Sequence, residues 1–97
     1  MTLALVVRFD LPDAAAARRF DALLGAALPA VAQEPGTLLY LPHTSPSDPL
    51  LRLVYAVYTD HPAHERHNAA PAMAEFLREL PGLEAVVRVE ELVPTPS

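Results

Sequence analysis

The sequence predicts an α+β domain in which two helices pack on a four-stranded antiparallel sheet. Three observations lead to this fold class. Four short stretches are apolar and rich in β-branched residues, which is typical of strands. Two longer stretches repeat apolar side chains at three- and four-residue spacing, which is typical of helices. Their order along the chain is β-α-β-β-α-β, the ferredoxin-like pattern, and the 97 residues are interpreted as one domain, 1–97, with a short tail at 93–97.

The first strand covers residues 2–9 and alternates between two faces. One face is apolar, whereas the other carries Arg8, a cation that needs an anionic partner or water. A helix follows over residues 11–33, where Asp13 suits the N-terminus and an apolar stripe recurs. Pro29 lies inside this helix and leaves one carbonyl without a donor, so we expect a kink or an early end.

The rest of the chain continues the alternation of strands and helices. The predicted elements are a turn at 34–36, strands at 37–42 and 50–59, helical segments at 60–67 and 71–80, and a strand at 84–92. Both faces of the strand at 50–59 are largely apolar. We therefore expect helices to cover one face and a second subunit to cover the other.

Composition excludes several classes of function. The net charge is -5 and the seven positive residues are all Arg without a basic cluster, so no nucleic-acid partner is expected. The absence of Lys excludes Schiff-base chemistry, and the absence of Cys excludes a thiol nucleophile or a thiolate metal site. The chain shows no signal-peptide pattern and no apolar run near the ~18 residues of a membrane span. We expect a cytoplasmic protein without a membrane partner.

Three of the four histidines lie in the stretch DHPAHERHNAAP, at His61, His64 and His67. On a helix this spacing spreads them over about 120° and about 9 Å, so all three cannot converge on one ion. The His-Glu-x-x-His pattern of zinc proteases is absent, because Asn68 stands at its last position. We therefore predict no metal site, and we interpret His61 and His64 as solvated surface residues.

Pro71 distinguishes His67 from the other two histidines. Proline lacks an amide hydrogen and disfavours helical geometry in the residue before it, so the helix is predicted to break just after His67. Asn68 suits a C-terminal cap at that break. A polar side chain at a break can face a cavity, which makes His67 a candidate general base, although a merely structural histidine remains an alternative.

The segments EPGTLLY, DP, YAVYTD and a following His and Phe resemble the antibiotic biosynthesis monooxygenase (ABM) domain family, which includes small quinol monooxygenases. The opening LVVRF is similar to the first strand of that family. The matching positions are Glu34, Pro35, Gly36, Tyr40, Asp48, Pro49, Tyr58, Thr59, Asp60, His67 and Phe76. The resemblance covers nearly the whole chain. It implies a dimeric α/β barrel of two ferredoxin-like subunits, with an apolar cavity between sheet and helices, and oxygenation of polycyclic phenols or quinols without metal or flavin.

This resemblance, together with the chemistry of the side chains, gives a set of site predictions. We predict two catalytic residues, His67 as the base and Arg8 to stabilise a phenolate or a superoxide-like anion. The predicted substrate-binding residues are Tyr40, Tyr58, Asn68, Met73 and Phe76. No cofactor is expected, and the expected partners are a small aromatic substrate, O₂ and a second copy of the chain.

Two departures from the family pattern bear on function. The family often has Glu where this chain has Ala56, so a carboxylate partner for His67 is missing at that place. A non-catalytic small-molecule-binding or accessory dimer therefore stays open beside the monooxygenase, as does a cyclase or isomerase that uses His67 as its base. The haem-degrading branch has Trp at the position of His67 and His about ten residues later. This chain has no Trp and carries Leu77 there, which disfavours haem degradation.

Overall fold

Within residues 2–95, three α-helices lie on one side of a four-stranded antiparallel sheet. The computed structural model describes residues 2–95, so residues 96 and 97 of the predicted tail lie outside the described part. The elements are β1 (Leu3–Asp10), α1 (Ala14–Val31), β2 (Thr37–Thr44), β3 (Leu51–Tyr58), α2 (His61–Ala69), α3 (Pro71–Glu79), a 3₁₀ turn (Leu80–Leu83) and β4 (Val86–Leu92). The strand order is β2-β3-β1-β4. This arrangement confirms the predicted ferredoxin-like fold, in which α2 and α3 correspond to the two helical segments predicted between β3 and β4.

The alternation of β1 decides which residues enter the core. Leu5 and Phe9 are buried beneath the helices, whereas Arg8 points to the opposite face and is exposed. In β3, Ala56 lies beside Leu5 and is almost completely buried. The face assignments predicted for β1 and β3 are confirmed, because successive side chains of a strand must alternate.

Three phenylalanines join the sheet to α1 and α3. The rings of Phe9 and Phe20 have centroids 4.8 Å apart, and Phe20 and Phe76 have centroids 5.4 Å apart in an edge-to-face arrangement. Such pairs stabilise a core beyond the effect of their buried area.

Helix α1 continues past Pro29 to Val31, so the early end expected there is wrong. Only one helical hydrogen bond is lost at the proline, and the buried apolar stripe outweighs that loss.

The break between α2 and α3 lies two residues beyond the predicted place. Ala70 adopts φ −61° and ψ 141°, the extended geometry that the following Pro71 imposes. Its amide donates to the carbonyls of Arg66 and His67, at 2.9 and 3.3 Å, so Ala70 and not Asn68 closes the helix. His67 therefore lies in the last turn of α2, within regular helix, and its ring faces inward.

Gly36 brings the turn after α1 into contact with α2. A Cβ atom at this position would lie 2.6 Å from the Cβ of Ala63, closer than real side chains approach. The Gly36 carbonyl also accepts a hydrogen bond of 2.9 Å from the Thr59 amide. Because glycine permits this close approach, the neighbouring Glu34 can reach the inner face of α2.

The side of the sheet away from the helices is uncovered and largely apolar. We define the open sheet face by Val6, Leu39, Leu41, Tyr55 and Val57, which the strand register places side by side. Leu39 and Leu41 remain 36% and 44% exposed. No helix within residues 2–95 combines the length and hydropathy needed to cross a bilayer.

Candidate active site

A cavity of about 220 Å³ lies between the helix-facing side of the sheet and helices α2 and α3. Its polar lining residues are Tyr40, Tyr58, His64, His67 and Asn68. The rest of its wall is apolar and includes Met73 and Phe76, and no Asp, Glu or Arg belongs to the lining. All five predicted substrate-binding residues thus meet at one cavity with His67. A concave apolar pocket with a few convergent polar groups is the usual form of a small-molecule site.

His67 is paired with a carboxylate, and that carboxylate belongs to Glu34. The distance between Nδ1 of His67 and Oε1 of Glu34 is 2.7 Å, and His67 is only 4% exposed. The hydroxyl of Thr37 donates to the same carboxylate oxygen at 2.7 Å. In a neutral imidazole this contact places the proton on Nδ1, which leaves Nε2 as a hydrogen-bond acceptor. A histidine with this hydrogen bond can act as a general base through Nε2.

Glu34 was not predicted as a functional residue. Its Glu-Pro-Gly sequence indicates a turn, and the carboxylate was sought at the position of Ala56, which is instead buried in the sheet. The turn instead places the carboxylate of Glu34 against Nδ1 of His67, on the side of the imidazole away from the sheet position of Ala56. The signal that could have found it is Gly36, because a glycine in a turn often marks close approach to another element.

Glu34 also borders a second space outside the main cavity. This second cavity measures about 220 Å³ and is lined in part by Glu34, Gly36 and Arg66. Of the residues that line it, His67 also lines the main cavity. The Glu34–His67 pair therefore forms part of the wall between the two spaces.

Two tyrosines flank the imidazole of His67. The ring centroids of Tyr40 and Tyr58 each lie 5.2 Å from that of His67. Burial raises the pKa of Tyr40 to about 12, with a further contribution from the charge of Glu34. Burial also raises the pKa of Tyr58, helped by Tyr40 and Glu34. Both phenols therefore stay protonated at neutral pH and can donate hydrogen bonds to an anion.

His64 belongs to the cavity, contrary to the predicted solvated position. Its ring lies 4.9 Å from Tyr58 and stacks at 6.4 Å on His67. Burial and then the neighbouring His67 lower the pKa of His64, so its imidazole is neutral at neutral pH. Nε2 of His64 lies 3.3 Å from the amide nitrogen of Asn68, which can donate to it. The i, i+3 spacing puts His64 and His67 on one side of α2, while Asp60 caps the helix start.

His61 and Arg8 lie away from this cavity. His61 is exposed, as predicted, and its Nε2 lies 3.0 Å from Glu91. Arg8 makes two hydrogen bonds to Asp10, at 3.0 and 3.1 Å, on the side of the sheet opposite the cavity. The structure therefore does not bring Arg8 to His67. Successive side chains of β1 point to opposite faces of the sheet, and Arg8 lies on the face away from the helices. Within residues 2–95 no three His, Asp or Glu side chains are grouped as metal ligands.

Comparisons with known proteins agree with this fold. Residues 2–79 match the family described as antibiotic biosynthesis monooxygenase, whereas a search of curated proteins gives no match. The solved structure of Rv0793 from Mycobacterium tuberculosis is similar with a TM-score of 0.88 at 22% identity, over 100% of this chain and 98% of that chain. SnoaB from Streptomyces nogalater, a cofactor-independent oxygenase, is similar with a TM-score of 0.80 at 20% identity, over 99% of this chain and 95% of that chain. At these identities the structural likeness shows the fold alone. Because the family match spans most of its length, the chain belongs to the antibiotic biosynthesis monooxygenase family.

Proposed function

We propose that this protein is a monooxygenase that oxidises a small phenol or quinol in the main cavity without a bound metal or flavin. The observation that carries the proposal is the hydrogen bond from the partly buried Glu34 to the buried His67, which lines one end of a largely apolar cavity. Family membership supports a monooxygenase, and the similar SnoaB is described as a cofactor-independent oxygenase. An apolar ring would fill the cavity, and a hydroxyl on it would reach His67.

The first chemical step is removal of a proton from the substrate. Nε2 of His67 accepts this proton while Nδ1 stays bonded to Glu34, as the hydrogen-bond geometry favours. The carboxylate of Glu34 orients the ring and stabilises the imidazolium that forms. The hydroxyls of Tyr40 and Tyr58, which stay protonated, can donate to the resulting phenolate.

Oxygen chemistry then proceeds with electrons from the substrate. For an anthrone-type substrate, the anion gives one electron to O₂, and the two radicals join to form a C–O bond and a peroxide. Loss of water from this peroxide turns the original CH₂ into a carbonyl. One oxygen atom stays in the product and the other leaves as water with the two hydrogens, so no external reductant is needed. His67 returns its proton to the departing oxygen, and the apolar walls keep bulk water out.

The reaction can be tested with chelator-treated protein and anthrone in ¹⁸O₂. We expect O₂ uptake equal to the substrate consumed and one ¹⁸O atom in each molecule of anthraquinone product. Saturable binding without O₂ uptake would instead favour the non-catalytic binding protein. Conversion of a substrate at the same rate without O₂ would favour the cyclase or isomerase, which needs only the base.

We also propose that two copies pack through the open sheet face. Leu41 and Tyr55 lie side by side there, and an uncovered apolar surface of this kind is typical of an interface. We expect a mass of twice 10.5 kDa at micromolar concentration, and a monomer for Leu41→Asp, measured by sedimentation. Leu77→Asp is the matched control, because Leu77 is similarly exposed, at 39%, but lies on α3 on the helix side. A monomeric native protein would contradict this proposal.

A further inference from the structure

The main cavity is not closed at the end away from His67. Three of its apolar lining residues, Leu77 of α3 and Val87 and Val89 of β4, remain 39%, 41% and 60% exposed. We call these three residues the apolar rim. The side chains of β4 that face the helices are exposed because the helices lie over the other strands and leave this edge strand uncovered.

The floor of the cavity leads to the rim without a polar interruption. Val54, Val7 and Val89 are direct neighbours in the register of β3, β1 and β4. Adjacent strands are about 4.8 Å apart, so this row extends about 10 Å from the strand beside His67 to the outer edge of the sheet. Ala56 in the next row adds neither bulk nor charge to the floor.

Polar and apolar groups are segregated along this path. The hydrogen-bonding side chains gather at the end formed by α2, whereas the rim end is hydrocarbon alone. The nearest acid on that side of β4 is Glu91, which is paired with His61 and does not line the cavity. Such a surface suits a ligand with a polar head and an uncharged apolar extension, and it disfavours a carboxylated or phosphorylated extension.

We infer that the apolar rim is a subsite for an alkyl-like tail, so that the substrate is a phenol or quinol with its hydroxyl at His67 and its tail across β4. The inference deepens the proposed function by naming the substrate class. It concerns binding, so it can be tested whether or not the protein turns over the ligand. A tail lying on Val87, Val89 and Leu77 removes exposed apolar area from water and thereby adds affinity.

The test is binding of hydroquinones with methyl, butyl and hexyl chains, measured by calorimetry in the absence of O₂. Affinity is expected to rise about fourfold for each methylene that the rim buries. Val89→Asp is expected to abolish this rise. The matched control is Val86→Asp, because Val86 lies on the same strand with 56% exposure but faces the open side of the sheet. Leu77→Asp repeats the test on α3, in case the β4 substitution impairs folding.

Several results would overturn the inference. One is equal affinity for all chain lengths, and another is a chain-length dependence that Val89→Asp and Leu77→Asp leave intact. A change of mass on Val89→Asp would show that a second copy of the chain, and not a ligand tail, covers the rim. If affinity depends on chain length but no O₂ is consumed, the subsite is supported and the proposed oxygenation is wrong. If O₂ is consumed but affinity does not depend on chain length, the oxygenation is supported and the subsite is wrong.

Discussion

Replacing His67 with alanine is expected to lower kcat by about 10²–10⁴-fold, the usual contribution of a positioned general base. The substitution removes the acceptor Nε2 and leaves the Glu34 carboxylate facing a space where the imidazole was. Substrate binding should change little, because most of the cavity wall is apolar and stays in place. The measurement is steady-state O₂ uptake over a range of substrate concentrations, which separates kcat from KM.

His61→Ala is the matched control for this experiment. His61 lies on the same helix, but it is exposed and is paired with Glu91 away from the cavity. We expect its kcat to equal that of the native protein. His64→Ala should give a smaller effect than His67→Ala, because within residues 2–95 His64 contacts the side-chain amide of Asn68 and not a carboxylate. Unchanged turnover in His67→Ala would exclude the base and leave the tyrosines to bind the substrate without proton transfer.

Much of the fold followed from patterns that are local in the sequence. The alternation of β1 assigned Phe9 to the core and Arg8 to the other face, and both assignments are confirmed. Asp60 was expected to begin a helix, and its side chain does accept from the Ala63 amide at 2.8 Å. Pro71 indicated the break between two helices, although the break comes two residues later than predicted, since Asn68 is not the cap. Local signals of this kind depend on backbone geometry within one or two turns.

The site was harder to predict, because its central contact joins distant parts of the chain. Glu34 and His67 are 33 positions apart, and no periodicity in either segment links them. His64 could not be separated from His61 by helical spacing alone, since the packing of α2 on the sheet decides which of them faces Tyr58. Arg8 illustrates the opposite error. Its positive charge suggested a catalytic role. The alternation of side chains along the strand, already visible in the sequence, placed it on the face away from the cavity.

In the proposed mechanism, the Glu34–His67 pair supplies the carboxylate-assisted base that Ala56 cannot supply. A carboxylate in the sheet would lie within the cavity, where its charge would meet an apolar ligand. Glu34 instead stands behind His67, outside the main cavity and 18% exposed as a side chain. The imidazole thus has a carboxylate partner, while the wall of the main cavity carries no Asp, Glu or Arg. In the proposed mechanism, this placement separates the charge of Glu34 from the surface that binds the substrate.

Substitutions of Glu34 are expected to give a graded loss of kcat with little change in KM. Both hydrogen bonds, from His67 and from Thr37, go to the same oxygen, so Glu34→Gln can keep the geometry and lose only the charge. Because a charged acceptor contributes roughly 1–1.5 kcal/mol more than a neutral one, kcat should fall about tenfold. Glu34→Ala loses the orientation as well, and we expect a fall of about 10²-fold together with a loss of about 1–3 kcal/mol in the free energy of unfolding.

Formate separates a positioning role of Glu34 from a merely structural one. The second cavity of about 220 Å³ leads to Glu34 past Gly36 and Arg66, so a small carboxylate can enter there without displacing the substrate. We expect formate to raise the kcat of Glu34→Ala but not that of Glu34→Gln, where the side chain still fills the place. Glu65→Gln, an exposed position on α2, should behave like the native protein with and without formate. If Glu34→Ala keeps the native kcat, or loses activity only through KM, then His67 acts without its carboxylate partner.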